Sequence, residues 1–160
     1  MNAGILPIAI LFFALGLGLS FSPLRAALVA VAAMVVAAVA LSYAPLPRAW
    51  LEAVFVGLWV SVIGSICLAY VPRRVPQSLA IAAGLNGGVW AGSLAGLATM
   101  RPGMVMVMPL VLSLFLGRAV VALRQPIAVK VVGSWVIAVA TLAIFVSLTP
   151  TPGYQQDHMQ

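Results

Sequence analysis

Apolar residues run in long stretches along this chain, broken by short gaps in which proline and arginine sit side by side. Nine of the eleven prolines (Pro23, Pro45, Pro47, Pro72, Pro76, Pro102, Pro126, Pro150, Pro152) fall in those gaps; only Pro7 and Pro109 lie inside apolar runs. Cutting at the gaps leaves six runs, at about 3–21, 25–43, 50–71, 78–99, 104–123 and 127–149. Each is close to the ~20 apolar residues that a helix needs to cross a hydrocarbon core of ~30 Å. The alternation expected of barrel strands is absent, so the backbone groups must be satisfied within helices. The pattern predicts an all-α fold: a polytopic six-helix transmembrane domain over residues 1–149, followed by a polar tail at 150–160.

Composition strengthens that reading. Hydrophobic residues make up 64% of the 160 and charged residues 6%, against about 45–50% and ~25% in ordinary soluble domains. Ten charged residues cannot solubilise a surface of this size, which excludes a soluble domain and a disordered chain. One cysteine, Cys67, can form neither an internal disulfide nor a thiolate metal site. The net charge of +6 is carried by basic residues scattered between apolar runs. They do not form the clustered patch that phosphate-backbone binding requires, so no nucleic-acid partner is expected.

The first run lacks a preceding basic segment and a small-residue cleavage site, and reads as an uncleaved helix rather than a signal peptide. Arg25, Arg73, Arg74, Arg118, Arg124 and Lys130 flank the first, third and fifth connections. Arg48 and Arg101 flank the second and fourth. The positive-inside rule then puts the odd connections in the cytoplasm and both termini outside, as a multi-pass protein of a cell inner membrane.

Helix four is the most informative segment. Gly84, Gly88, Gly92 and Gly96 recur every four residues and form one stripe, on which another helix backbone can approach closely. The stripe predicts close packing, either within the chain or between chains. On the opposite side lie Asn86, Trp90 and Ser93. A mid-membrane amide needs a hydrogen-bond partner, and two faces that avoid lipid place helix four at the centre of the bundle. Gly57, Ser61, Gly64 and Ser65 give helix three a small-residue face, and helix two is alanine-rich. Asn86, Ser93 and Ser61 either fix packing or line a polar solute path. Gly-x-Trp occurs at Gly57, Gly88 and Gly133, which reads as coincidence before it reads as an internal repeat.

Charges inside or near the spans are few. Glu52 follows Arg48 by four residues at the end of helix three, and with Trp50 reads as an interfacial anchor with an i, i+4 charge pair. Arg118 lies six residues inside Arg124, roughly 9 Å deeper along a helix. With Lys130 these residues predict a cytoplasmic basic cluster for lipid headgroups or an anionic ligand between helices five and six. Met100, Met104, Met106 and Met108, with His158 in the tail, are soft or borderline ligands that raise Cu(I) as a minor reading. Thioether side chains serve equally as apolar filler.

No nucleophile elbow, zinc-protease helix, phosphate loop or acid–base pair is present, and neither enzymatic activity nor a cofactor is expected. Two classes of function remain. One is a membrane-embedded subunit or scaffold that holds other membrane subunits, or copies of itself, through helix contact. The other is a small oligomeric transporter or channel for a solute or ion, with anions favoured by Arg118.

Overall fold

The computed structural model of the chain describes residues 5–71, 75–98 and 107–149. All regular structure among them is helical: α1 (Ile5–Leu19), α2 (Leu24–Ser42), α3 (Leu51–Cys67), α4 (Gln77–Leu97), α5 (Met108–Ala122) and α6 (Pro126–Leu148). Single 3-10 turns at Arg48–Trp50 and Leu68–Tyr70 extend α3 at both ends, so that 48–70 forms one continuous rod. Proline punctuates these elements as its chemistry dictates. Pro23, Pro47 and Pro76 each occupy the position before a helical segment, and Pro109 and Pro126 sit in the first turn of α5 and α6, where a missing N–H costs nothing.

Among the described residues, four helical segments are long and apolar enough to cross a membrane: Leu24–Ser42, Arg48–Tyr70, Gln77–Leu97 and Pro126–Leu148. The remaining two, α1 and α5, are 15 residues each, roughly 22 Å at 1.5 Å per residue. For α1 the early end has a local cause. The Ser20 and Ser22 hydroxyls donate to the Leu17 and Leu19 carbonyls, both at 2.6 Å. Pro23, lacking an N–H, then starts the next element.

Helices consecutive in the chain alternate in direction, and packed neighbours are of both kinds. Gly16 faces Leu110 and Ser113 while Gly117 faces Ser20, so α1 and α5 run parallel; Gly18 against Ser65 near the C-terminal ends sets α1 parallel to α3. Ser61 meets Asn86 and Gly57 meets Trp90, which makes α3 and α4 antiparallel. Tyr70 meets Lys130 and Ile66 meets Gly133, which does the same for α3 and α6. Gly84, Gly88 and Gly92 face Ala30, Met34 and Ala38 in order, so α2 and α4 are parallel. One end of the bundle therefore gathers Arg25, Arg118, Arg124 and Lys130, and the other gathers Arg48 and Glu52. Arg73, Arg74 and Arg101 lie outside the described residues.

The placement of α4 at the centre is corrected by the packing. The most enclosed helix is α1, which touches α3, α4, α5 and α6 and buries Leu11, Leu15 and Leu19 completely. Helix α4 lies between α2 on one side and α1 with α3 on the other, and its Leu85, Asn86 and Val89 are exposed. Asn86 finds its partners at the outer edge of the α3–α4 contact, without entering the interior, so its face of α4 does not need to be covered on all sides.

Candidate functional site

Glycine decides how closely the helices approach. A Cβ on Gly84, Gly88 or Gly92 would collide with the carbonyl oxygens of Ala30, Met34 and Ala38. On Gly96 it would lie 3.2 Å from the Leu41 and Ser42 carbonyl oxygens. The stripe on α4 is thus occupied inside the chain by the alanine-rich face of α2, where Ala26, Ala27, Ala30, Met34 and Ala38 are buried. Two glycines that the sequence pattern did not single out matter as much. Gly16 admits the Leu110 carbonyl of α5, and Gly18 admits the Ser65 carbonyl of α3. Two residues apart at ~100° per residue, they serve neighbours on different sides of α1.

The small-residue face of α3 divides. Gly57 makes room for the indole of Trp90, and Ser61 is buried and bonded to α4; the Ser65 carbonyl receives α1, while Gly64 faces open space. The Trp90 Nε1–H donates to Asn86 Oδ1 at 3.0 Å, and Asn86 Nδ2–H donates to Ser61 Oγ at 2.7 Å. This chain of two bonds joins α4 to α3. Ser93 is buried on α4, two turns along. Asn86 and Ser61 are therefore brought together, but with Asn86 on an exposed face they form a surface link. Trp59 is buried edge-on to Phe55, with ring centroids 6.1 Å apart, and its Nε1–H has no acceptor among the described residues. The three Gly-x-Trp indoles sit in three environments: Trp59 buried, Trp90 half-buried and Trp135 exposed.

The charge pair expected between Arg48 and Glu52 does not form; both side chains are exposed and no ion pair joins them. Arg48 belongs to a 3-10 turn, not to α3, and the tighter winding takes it off the i, i+4 register.

A cavity of about 670 Å³ with mixed polar and apolar walls opens at the end where the α1–α2 connection, the turn after α3, α5 and α6 meet. Ser20, Ser22, Arg118 and Lys130 contribute its polar groups, with Leu24 and Val121 among the apolar wall. Arg118 is anchored by an Nη1–H donated to the Ser22 carbonyl at 2.9 Å. Lys130 Nζ stands 5.7 Å from the centre of the Tyr70 ring, within cation–π reach, and the Tyr70 hydroxyl donates to the Lys130 carbonyl at 2.8 Å. Of the predicted basic cluster, Arg118 and Lys130 converge. Arg124 does not: it occupies the turn between α5 and α6 with a positive φ of 59°, exposed and outside the cavity wall.

No group of His, Cys, Asp or Glu among the described residues could hold a metal ion. Met108 is exposed in the first turn of α5; Met100, Met104, Met106 and His158 lie outside the described residues. Compared with known proteins, the chain matches no family model, no curated protein sequence and no solved structure.

Proposed function

We propose that the chain is a non-catalytic integral protein of a cell inner membrane, with six spans and the Arg118–Lys130 end in the cytoplasm, acting as a membrane-embedded subunit. The observation that carries the subunit reading is the outer wall of α6. It is the least enclosed of the four long helices and presents Trp135, Leu142, Phe145 and Val146, each at least 65% exposed. Lipid covers such a wall, and so does a partner helix. The glycine stripe on α4 is filled by α2 and does not serve as the partner surface. The partner is another membrane protein or a second copy of this chain.

The test is the mass and composition of the complex extracted gently from its native membrane, compared with a Trp135→Ala, Phe145→Ala double variant. Stoichiometric partners, or a defined homo-oligomer, that the double variant releases support the reading. A chain recovered alone overturns it.

The Arg118–Lys130 cavity favours a second reading, a small anion transporter. Against it, Asn86, Ser61 and Ser93 do not continue the cavity into a path, because they belong to the α3–α4 side. Anion uptake into proteoliposomes, lost on Arg118→Gln, would establish it.

A further inference from the structure

Next to the basic cavity along α5 and α6 lies an apolar groove of about 180 Å³, whose Gly117, Val120 and Val129 are the chain neighbours of Arg118, Val121 and Lys130, although the two hollows share no lining residue. It is apolar apart from Ser113, whose hydroxyl is turned to the Leu110 carbonyl at 3.1 Å. Phe13 and Val132 then lead into a second apolar groove of about 380 Å³ between α1 and α6, reaching Trp135 and Val139. The three hollows follow one another in a seam along α6, which packs only sparsely against α5 and α1.

From Val129 to Val139 the seam covers ten residues of helix, roughly 15 Å at 1.5 Å per residue. That is one leaflet of a hydrocarbon core of ~30 Å. At its head stand two cations. Glu52, the one carboxylate side chain among the described residues, is at the opposite end of the bundle. Four of the five guanidinium N–H groups of Arg118 remain after the bond to Ser22. Two helix starts, Pro23–Leu24 of α2 and Pro126 of α6, border the same cavity without a side-chain cap, and their free N–H groups add positive potential.

We infer that this seam is a binding site for an anionic phospholipid. The phosphate is held between Arg118 and Lys130, and one acyl chain lies along α1 and α6 past Val132. A free phosphate would use the cavity but leave the groove without a role. A zwitterionic lipid would use the groove but gain less from two unopposed cations. The inference rests on the membrane location proposed above, not on the subunit reading.

The experiment is native mass spectrometry of the full chain in mild detergent, titrated with phosphatidylglycerol or with phosphatidylcholine of the same acyl chains. Recovery of the wild-type chain in the membrane fraction beforehand tests the location separately. Phosphatidylglycerol adducts should dominate. Lys130→Gln and Arg118→Gln should each weaken them about fivefold, from the usual contribution of a cation near an anionic headgroup.

Lys130→Gln is the safer variant, since Tyr70 bonds the main-chain carbonyl at 130 whatever the side chain. Val132→Trp should also reduce occupancy by filling the groove, and Arg124→Gln should leave it unchanged. Equal retention of both lipids, equal loss in Arg124→Gln, no loss in Val132→Trp, or displacement by millimolar inorganic phosphate would each overturn the assignment. Circular dichroism of each variant separates a lost site from a lost fold. If Arg118→Gln proves unfolded, Lys130→Gln and Val132→Trp decide the matter.

Discussion

The carbonyl oxygen of Met34 occupies the space where a side chain on Gly88 would begin. With Ala30 against Gly84 and Ala38 against Gly92, this makes the α2–α4 contact a backbone-to-backbone approach. Adding one methyl should force the helices apart. Gly84→Ala, Gly88→Ala and Gly92→Ala are each expected to cost about 1–3 kcal/mol, the usual range for overpacking. Gly96→Ala should cost less, because its new methyl sits 3.2 Å from the nearest oxygens. Gly64→Ala meets nothing within 4 Å and should be neutral or stabilising by up to ~1 kcal/mol through helix propensity. Denaturant titration in micelles, followed by circular dichroism, reads the series; equal effects at 64 and 88 would refute the packing.

The Asn86–Ser61 bond should behave as a modest interhelical link. In a double-mutant cycle of Asn86→Leu and Ser61→Ala, the coupling is expected near ~0.6 kcal/mol and below ~1.7 kcal/mol, the range measured for such bonds in a membrane. Partial exposure keeps it low, because the unpaired amide can find other partners. A coupling of zero would mean that Asn86 is held by Trp90 alone.

Much of this architecture was legible from residue order, and what was not has identifiable causes. Proline and arginine gaps located all six helices, because proline has no N–H to continue a helix and arginine resists hydrocarbon. The end of α1 at Leu19 falls within a few residues of the apolar run, and its local cause, the Ser20 and Ser22 hydroxyls turned back onto the helix, is not something hydropathy registers. The glycine stripe announced a close approach, but its partner is a property of tertiary packing, and α2 offered only alanines. Gly16 and Gly18 form no recurrent stripe, because they serve different faces of α1. Arg118 and Lys130 converge across a turn, whereas Arg124, between them in sequence, is carried outward by its backbone conformation.

That conformation carries its own consequence. Arg124 donates its N–H to the Val121 carbonyl and Gln125 donates to Val120, both at 3.1 Å. These two bonds close α5 as a Schellman motif with Arg124 in the left-handed position. Glycine is the usual occupant, since a Cβ there costs roughly 1–2 kcal/mol. Arg124→Gly should therefore stabilise the fold by about 1 kcal/mol, after allowing for the greater freedom of glycine in the unfolded chain. Arg124→Ala, which keeps the Cβ, should not. The same micelle titration compares them, and equal stabilities would show that the strain has been relieved elsewhere.

Two arrangements in the bilayer are compatible with helices of these lengths, and they differ at residue 124. If all six helices cross, Tyr43 and Arg124 lie on opposite sides of the membrane, because the helix directions put them at opposite ends of the bundle. If only the four long helices crossed, and α5 entered and left on one side, both residues would face the same side, and α6 would have to run opposite to the direction that its contacts with α3 set. Both are exposed, and Cys67 is the chain's one native thiol, so a Cys67→Ser background allows single-cysteine labelling. With a membrane-impermeant maleimide added to intact cells, Tyr43→Cys should react, and Arg124→Cys should react only after permeabilisation. Reaction of both from outside would establish the four-span arrangement. The reverse pattern would keep six spans and overturn the orientation drawn from the positive-inside rule. It would also move the Arg118–Lys130 cavity from the inner to the outer leaflet.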